Sequence, residues 1–225
     1  MSGTVSAKYH CKVVLLGNSG VGKTEFMHAL FDDPDRELSA LQRAKVSTIG
    51  VDFKSTTRVT RDSTVVKLLV WDTAGQERYA STAPNYTRES DAIVLLFDVT
   101  DERSYNDLDR RWQSIVDEHL DSVGRGNVVC YLVANKIDLA DKRRVTREEG
   151  RAYANGRHME YAETTVLRRR TVHNVIDDIA DRLARMNRVA ERAQRARAGG
   201  PQRGGTADIG RRPARSAGAQ SRCCT

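Results

Sequence analysis

The chain has 225 residues and a formal net charge of +7, and it is 39% hydrophobic and 30% charged, which suits one globular domain of ordinary size with something added. Its longest apolar runs, AIVLLF (92–97) and VVCYLVA (128–134), fall far short of the roughly 18–20 residues that span a bilayer, and the N-terminal MSGTVSAKYHC lacks the apolar core of a signal peptide. A cytoplasmic protein is expected, with Cys11 and Cys130 as buried free thiols rather than disulfide partners. The charge is uneven: from Arg188 onward nine arginines face only Glu191 and Asp208, so the tail carries the whole +7. The neutral body and the absence of aromatic residues in the tail argue against a nucleic-acid binder.

Taken in chain order, CKVVLLG (11–17) reads as a buried strand that leads into a helix after Gly22. VDFKSTTRVT (51–60) and TVVKLLVWD (64–72) are extended segments joined by a short turn at RDS (61–63). AIVLLFDV and NVVCYLVAN are apolar on all sides, as strands of a parallel sheet covered on both faces should be. Ser104 with Asp107, and Thr146 with Glu149, have the spacing of capping boxes opening helices at 105–121 and 147–156. A last helix starts near Arg170, with Val172, Val175, Ile176, Ile179, Leu183 and Met186 on one face. Strands alternating with helices predict a doubly wound α/β fold, whose ligands bind in loops beyond the carboxyl ends of the strands. Beyond about residue 190 the Gly/Arg/Ala-rich sequence cannot bury a core and reads as a flexible tail. The expected division is a flexible 1–9, a domain over 10–187 and a basic tail over 188–225.

Four of the loops after strands carry chemistry. GNSGVGKT (17–24) matches G-x-x-x-x-G-K-[ST] between a strand and a helix. In that pattern the backbone N–H groups of Ser19, Gly20, Val21, Gly22, Lys23 and Thr24 surround phosphate oxygens. Lys23 reaches the β and γ phosphates, and the Thr24 hydroxyl can ligate Mg²⁺. In VWDTAGQ (70–76), Asp72 can hold Mg²⁺ through water, Gly75 can donate its N–H to a γ-phosphate, and Gln76 can orient an attacking water. NKID (135–138) places Asn135, Lys136 and Asp138 at a strand end, where a carboxylate accepts from the N–H and amino groups of guanine but not of adenine. STIGVDF (47–53) sets Thr48 where a loop can close on Mg²⁺ and the γ-phosphate. The bland readings weaken as the four motifs accumulate in one chain. His28, His119 and His158 have no zinc spacing, and Trp112 and Tyr105 read as packing residues.

In this order and spacing, GNSGVGKT, TIGVDF, WDTAGQERY and NKID resemble the Ras superfamily of small GTPases. IGVDF and KLLVWDTAGQERY are similar to the Rab family of membrane-traffic regulators. The resemblance covers about residues 10–186. It implies a P-loop GTPase domain with a six-stranded, mostly parallel sheet and five helices, a slow GTP-to-GDP cycle with Mg²⁺, and contacts to the guanine from Thr165 and the Val166 backbone in ETTVL. It implies effectors, an exchange factor, an activating protein and a GDP-dissociation inhibitor. It also implies geranylgeranyl groups on Cys223 and Cys224 of SRCCT, which with the basic tail would bring the protein onto the cytosolic face of an intracellular membrane. The alternative is a nucleotide-binding interaction module without effective GTPase cycling.

The sequence departs from the family pattern in places. The 24-residue step from Thr24 to Thr48 is longer than the pattern, Leu41 and Lys45 stand where aromatics are customary, and Leu167 replaces a lysine. Lost stacking on the guanine is worth about 1 kcal/mol, so faster GDP release is expected unless Phe31 substitutes.

Overall fold

Strand β1, Tyr9–Leu16, shows why its run is apolar without alternation. Side chains on a strand point alternately to opposite faces: Cys11, Val13 and Leu15 enter one core and Val14 and Leu16 the other. The computed structural model describes residues 6–32, 51–73 and 83–198. After β1 come α1 (Lys23–Ala29), β2 (Val51–Val59), β3 (Val65–Thr73), α2 (Ala83–Thr87) and β4 (Ala92–Asp98). Next come α3 (Glu102–Asp107), a π-helical turn at Leu108–Trp112, and α4 (Gln113–Val123), followed by β5 (Val129–Asn135), α5 (Arg147–Gly156), β6 (Glu160–Thr164) and α6 (Arg169–Ala198). Because α3, the π turn and α4 run on without a break, the described residues form five helical rods around one sheet.

The six strands lie in the order β2-β3-β1-β4-β5-β6. Only β2 is antiparallel, paired with β3 through the turn at residues 60–64, and the remaining neighbours are parallel. The chain leaves β1 toward β3 on one side and returns to β4 on the other. This reversal opens the crevice at the carboxyl end of β1 where such folds bind ligands. One face is covered by α1 and α6, with Phe26, Met27, Val172, Ile176 and Ile179 fully buried. The other is covered by the 102–123 rod, through Leu108, Trp112, Val116 and Leu120. Cys11 and Cys130 are free and buried, and burial pushes each thiol up to about 12.

Two expectations are corrected. Ser104 and Asp107 do not form a capping box: the helix starts at Glu102, and the Asp101 side chain caps it by accepting from the Arg103 N–H. Ser104 instead closes the end of β4, since its hydroxyl accepts from the Asp98 N–H at 3.0 Å and donates to the Asp101 carbonyl at 2.7 Å. The expected end of the folded part near residue 187 is also too early, because α6 continues to Ala198. The added segment is VAERAQRARA (189–198); residues 189–195 bury little, but alanine, glutamate, glutamine and arginine are strong helix formers. It is tied down by Arg188 on the Thr64 hydroxyl at 3.0 Å and by Glu191 on Lys8 at 3.2 Å. The Thr146–Glu149 capping box forms with both reciprocal bonds. Among the described residues no helix is long and apolar enough to cross a membrane.

Candidate functional site

The loop between β1 and α1 turns back on itself because its glycines adopt conformations that side chains resist. Gly22 has φ +99°, and a Cβ there would sit 2.5 Å from the Asn135 amide nitrogen. At Gly17 (φ +135°) a Cβ would meet the Leu96 carbonyl oxygen at 2.2 Å. The loop can therefore press against the ends of β4 and β5 only with glycine at both places.

Lys23, the first residue of α1, is buried, and its ammonium donates to the carbonyls of Gly17 and Asn18, both at 2.9 Å. Burial brings its pKa down to about 8, opposed by the negative charges of Asp72 and Glu25. Next to it the Thr24 hydroxyl donates to Asp72 Oδ2 at 2.5 Å. Asp72 is completely buried at the end of β3, and its other oxygen, Oδ1, has no hydrogen-bond partner among the described residues. Burial raises its pKa, while the Thr24 hydrogen bond and the Lys23 charge pull it back. A buried carboxylate with an orphan oxygen beside a hydroxyl offers hard donors suited to Mg²⁺, which takes one or two protein oxygens and completes its shell with phosphate and water. The residues present thus fit the ion. Among the described residues no group of three His, Cys, Asp or Glu side chains could hold a metal ion by itself.

The second loop approaches from β5. Asn135 is used at both ends: its amide nitrogen donates to the Val21 carbonyl at 2.9 Å, and its oxygen accepts from the Thr164 hydroxyl at 3.1 Å. Lys136 donates to the Gly20 carbonyl at 2.5 Å and pairs with Asp98 at 2.6 Å. These two residues fasten the phosphate loop to the β5 and β6 loops, so of the three predicted base contacts only Asp138 directs a carboxylate elsewhere. One of its oxygens accepts from the Thr165 hydroxyl at 2.5 Å, which fixes the plane of the carboxylate. The Thr165 oxygen in turn accepts from the Leu167 N–H at 3.2 Å, folding the 165–167 turn around the same point. Val166 packs against the α1/α6 core.

The structure thus brings together Ser19 through Thr24, Asp72, Asn135, Lys136, Asp138, Thr165 and Val166. Thr48, Gly75, Gln76, Leu41, Lys45, Cys223 and Cys224 lie outside the described residues. Phe31 is exposed at the end of α1, under the Lys54 ammonium at 5.3 Å. Three participants were missed in the sequence. Asp98 ends β4 like any other polar strand terminus. Asn18 occupies a motif position that tolerates any residue. Trp112 was read as packing alone, yet its indole N–H reaches Asn18. An exposed aromatic ring, Phe53, stacks at 5.2 Å on the half-buried Trp71, close to the start of β2 and the end of β3.

Comparison with known proteins gives the same answer as the geometry. The Ras family pattern matches residues 12–185. Human Ras-related protein Rab-8B is 34% identical over 194 residues, covering 86% of this chain and 88% of the relative. GTP-binding protein YPT1 of Saccharomyces cerevisiae is 40% identical over 159 residues, 71% of each chain. The chain belongs to the Rab branch of the Ras family. Ras-related protein RABF2a of Arabidopsis thaliana is 36% identical over 186 residues, covering 83% of this chain and 87% of the relative. As a Rab-type small GTPase it has the expected six strands and five helical rods, and it binds guanine nucleotides and hydrolyses GTP.

Proposed function

We propose that this Rab-like GTPase regulates vesicle traffic as a GTP/GDP switch, carried to the cytosolic face of an intracellular membrane by lipid groups on Cys223 and Cys224. The observation behind the nucleotide site is the mutual fastening of its two loops, Asn135 on Val21 and Lys136 on Gly20, with Asp138 held by Thr165. This tie sets the Asp138 carboxylate at a fixed distance from the phosphate loop, which suits a ligand with a guanine at one end and phosphates at the other.

In this reading the backbone N–H groups of residues 19–24 and the Lys23 ammonium hold the phosphates, and Thr24, Thr48 and Asp72 hold Mg²⁺. The ion, when bound, neutralises charge that develops on the β and γ phosphate oxygens. Gln76 orients a water toward the γ-phosphorus, the bond to the β–γ bridging oxygen breaks, and GDP and inorganic phosphate leave. Little bond-making falls to the protein, so the intrinsic rate is slow and an activating protein supplies an arginine in trans. The γ-phosphate would order the loops around Thr48 and Gly75 and release them on hydrolysis. The exposed Phe53 ring, stacked on the half-buried Trp71, is a surface on which effectors would read the state.

Double lipidation suits the tail chemistry. One chain anchors only marginally, whereas two chains with nearby basic residues give a stable anchor, one that a GDP-dissociation inhibitor can extract. The division into a switch domain and a basic tail follows, with the boundary moved to the end of α6. A module that binds nucleotide without cycling is not favoured, since the chain keeps Lys23, Thr24, Asp72 and Gln76. Single-turnover GTP hydrolysis tests the reading: Gln76→Leu should slow the reaction at least tenfold and leave GDP binding intact. An unchanged rate would remove Gln76 from its role.

A further inference from the structure

Asn18 sits behind the phosphate loop, and both ends of its side-chain amide are engaged. Its oxygen accepts from the Trp112 indole N–H at 2.8 Å, and its nitrogen donates to Asp107 Oδ2 at 2.7 Å. Its backbone carbonyl is one of the two that receive the Lys23 ammonium. All three side chains are buried, with Asn18 8%, Asp107 4% and Trp112 1% exposed. The Asp107 carboxylate also faces two cations, Arg111 Nε at 3.5 Å and Arg103 Nε at 3.9 Å. The line of contacts thus runs from the lysine of the phosphate loop to guanidinium groups on the outside of the 102–123 rod.

The π turn makes this convergence possible. In a regular α-helix, residues five apart point about 140° away from each other, at about 100° per residue. At Leu108–Trp112 the helix widens by one residue, and the Gln113 N–H bonds to the Leu108 carbonyl, an i-to-i+5 step. Asp107 and Trp112, five apart, therefore reach the same amide from one side. The π turn occurs once in the rod and coincides with the residues that grip Asn18, as π turns often coincide with functional sites.

We propose that Trp112, Asn18 and Asp107 form a positioning brace for Lys23. The amide, held at both ends, fixes the peptide that carries the Asn18 carbonyl. With the Gly17 carbonyl this fixes two of the three ammonium protons of Lys23 and leaves the third for a phosphate. When one grip is removed, the buried amide group must find a new partner or go without, and the peptide turns with it. The loss falls on the lysine's contact with phosphate, not on the guanine. The brace also gives the outer surface of the rod, at Arg103 and Arg111, a route to nucleotide affinity. The inference rests on the reading that Lys23 binds the β-phosphate.

The preference for GDP over GMP isolates that phosphate contact, and competition against a fluorescent GDP analogue measures it on the full-length protein. Trp112→Phe removes the N–H and keeps an aromatic, if smaller, side chain in the buried site. It should lower the GDP/GMP affinity ratio about tenfold, equivalent to about 1.4 kcal/mol, with GMP binding changed less than twofold. Asn18→Asp alone sets two carboxylates together and should also lower the ratio. Combining it with Asp107→Asn restores an acceptor for the indole and a donor–acceptor pair between positions 18 and 107, and should return the ratio to within about twofold of the parent. A ratio unchanged in Trp112→Phe, even with a lower melting temperature, overturns the brace. So does a double variant no better than Asn18→Asp. Lys23→Met is the reference arm and should abolish the preference; if it does not, the phosphate role of Lys23 has failed and the brace falls with it.

Discussion

Replacing Lys136 with methionine removes one ammonium and keeps the length of the side chain. The backbone there has φ +66°, equally unfavourable for both residues, so conformational strain cancels. Two contacts are lost: the 2.5 Å bond to the Gly20 carbonyl, which ties the guanine loop to the phosphate loop, and the 2.6 Å pairing with Asp98. The first is a hydrogen bond from a charged donor, worth at most about 1.5–3 kcal/mol, since water can replace the ammonium at the exposed Gly20 carbonyl. Asp98 keeps the Thr100 N–H at 2.8 Å and the Thr100 hydroxyl at 2.7 Å on Oδ1, so its own loss is the smaller. Every 1.4 kcal/mol is tenfold in an equilibrium constant, and affinity changes within one site fall mostly on the off-rate. GDP should therefore leave about tenfold faster, and no more than about a hundredfold. Stopped-flow release of a fluorescent GDP analogue into excess GDP reads this directly. Asp98→Asn, which keeps the Lys136–Gly20 bond, should accelerate release by less than about tenfold. Release from Lys136→Met within twofold of the parent would refute the idea that this tie retains nucleotide. The parent trace also tests the expectation that Leu41, Lys45 and Leu167 weaken retention: a rate as slow as in typical relatives would contradict it.

The burial of Lys23 has a pH signature. Burial holds its pKa near 8, below the ordinary 10.5, and negative phosphates beside it would raise it again. Above about pH 8 GDP binding should therefore take up a proton and weaken with rising pH; titration calorimetry at pH 8.5 that gives the same heat in buffers of different ionisation enthalpy would contradict this. For stability the sign is the reverse: the unfolded lysine holds its proton to higher pH than the folded one, so the free protein gains stability as pH rises from about 8 toward 10.5. Thr146→Ala breaks the α5 capping box and should cost about 1 kcal/mol in denaturant unfolding, with GDP release unchanged because α5 touches no nucleotide-loop residue through that cap. Intact mass of the protein from eukaryotic cells should show two geranylgeranyl additions, reduced to none in the Cys223→Ser, Cys224→Ser variant; a parent mass with both thiols free would exclude the anchor.

Much of this protein is legible in the chain alone, wherever a local pattern has one physical outcome. A glycine-lined loop after an apolar strand, ending in Lys-Thr, has the form proposed to wrap phosphate, and Asp72 and Asp138 stand at or just beyond strand ends, where this fold class places ligand contacts. The Thr146 cap formed as expected because both of its bonds lie within four residues. The Ser104–Asp107 expectation failed although its spacing was equally good, because Asp101 took the cap while Ser104 and Asp107 were drawn to β4 and Asn18 by neighbours absent from any local window. The end of α6 was misplaced for a related reason: an absent apolar face says that a segment buries nothing, not that its backbone leaves the helix. The same limit hid the site's supporting side chains. Asn18, Asp98 and Trp112 are 80 and 94 residues apart along the chain, counted from Asn18, and only packing of the 102–123 rod and of β4 against the phosphate loop brings them to Lys23 and Lys136. Sequence thus determines which atoms can hold a guanine nucleotide, because that chemistry belongs to short motifs. Which groups hold those atoms still is decided by tertiary structure, because a buried hydrogen bond depends on what folding places within 3 Å and not on what lies nearby in the chain.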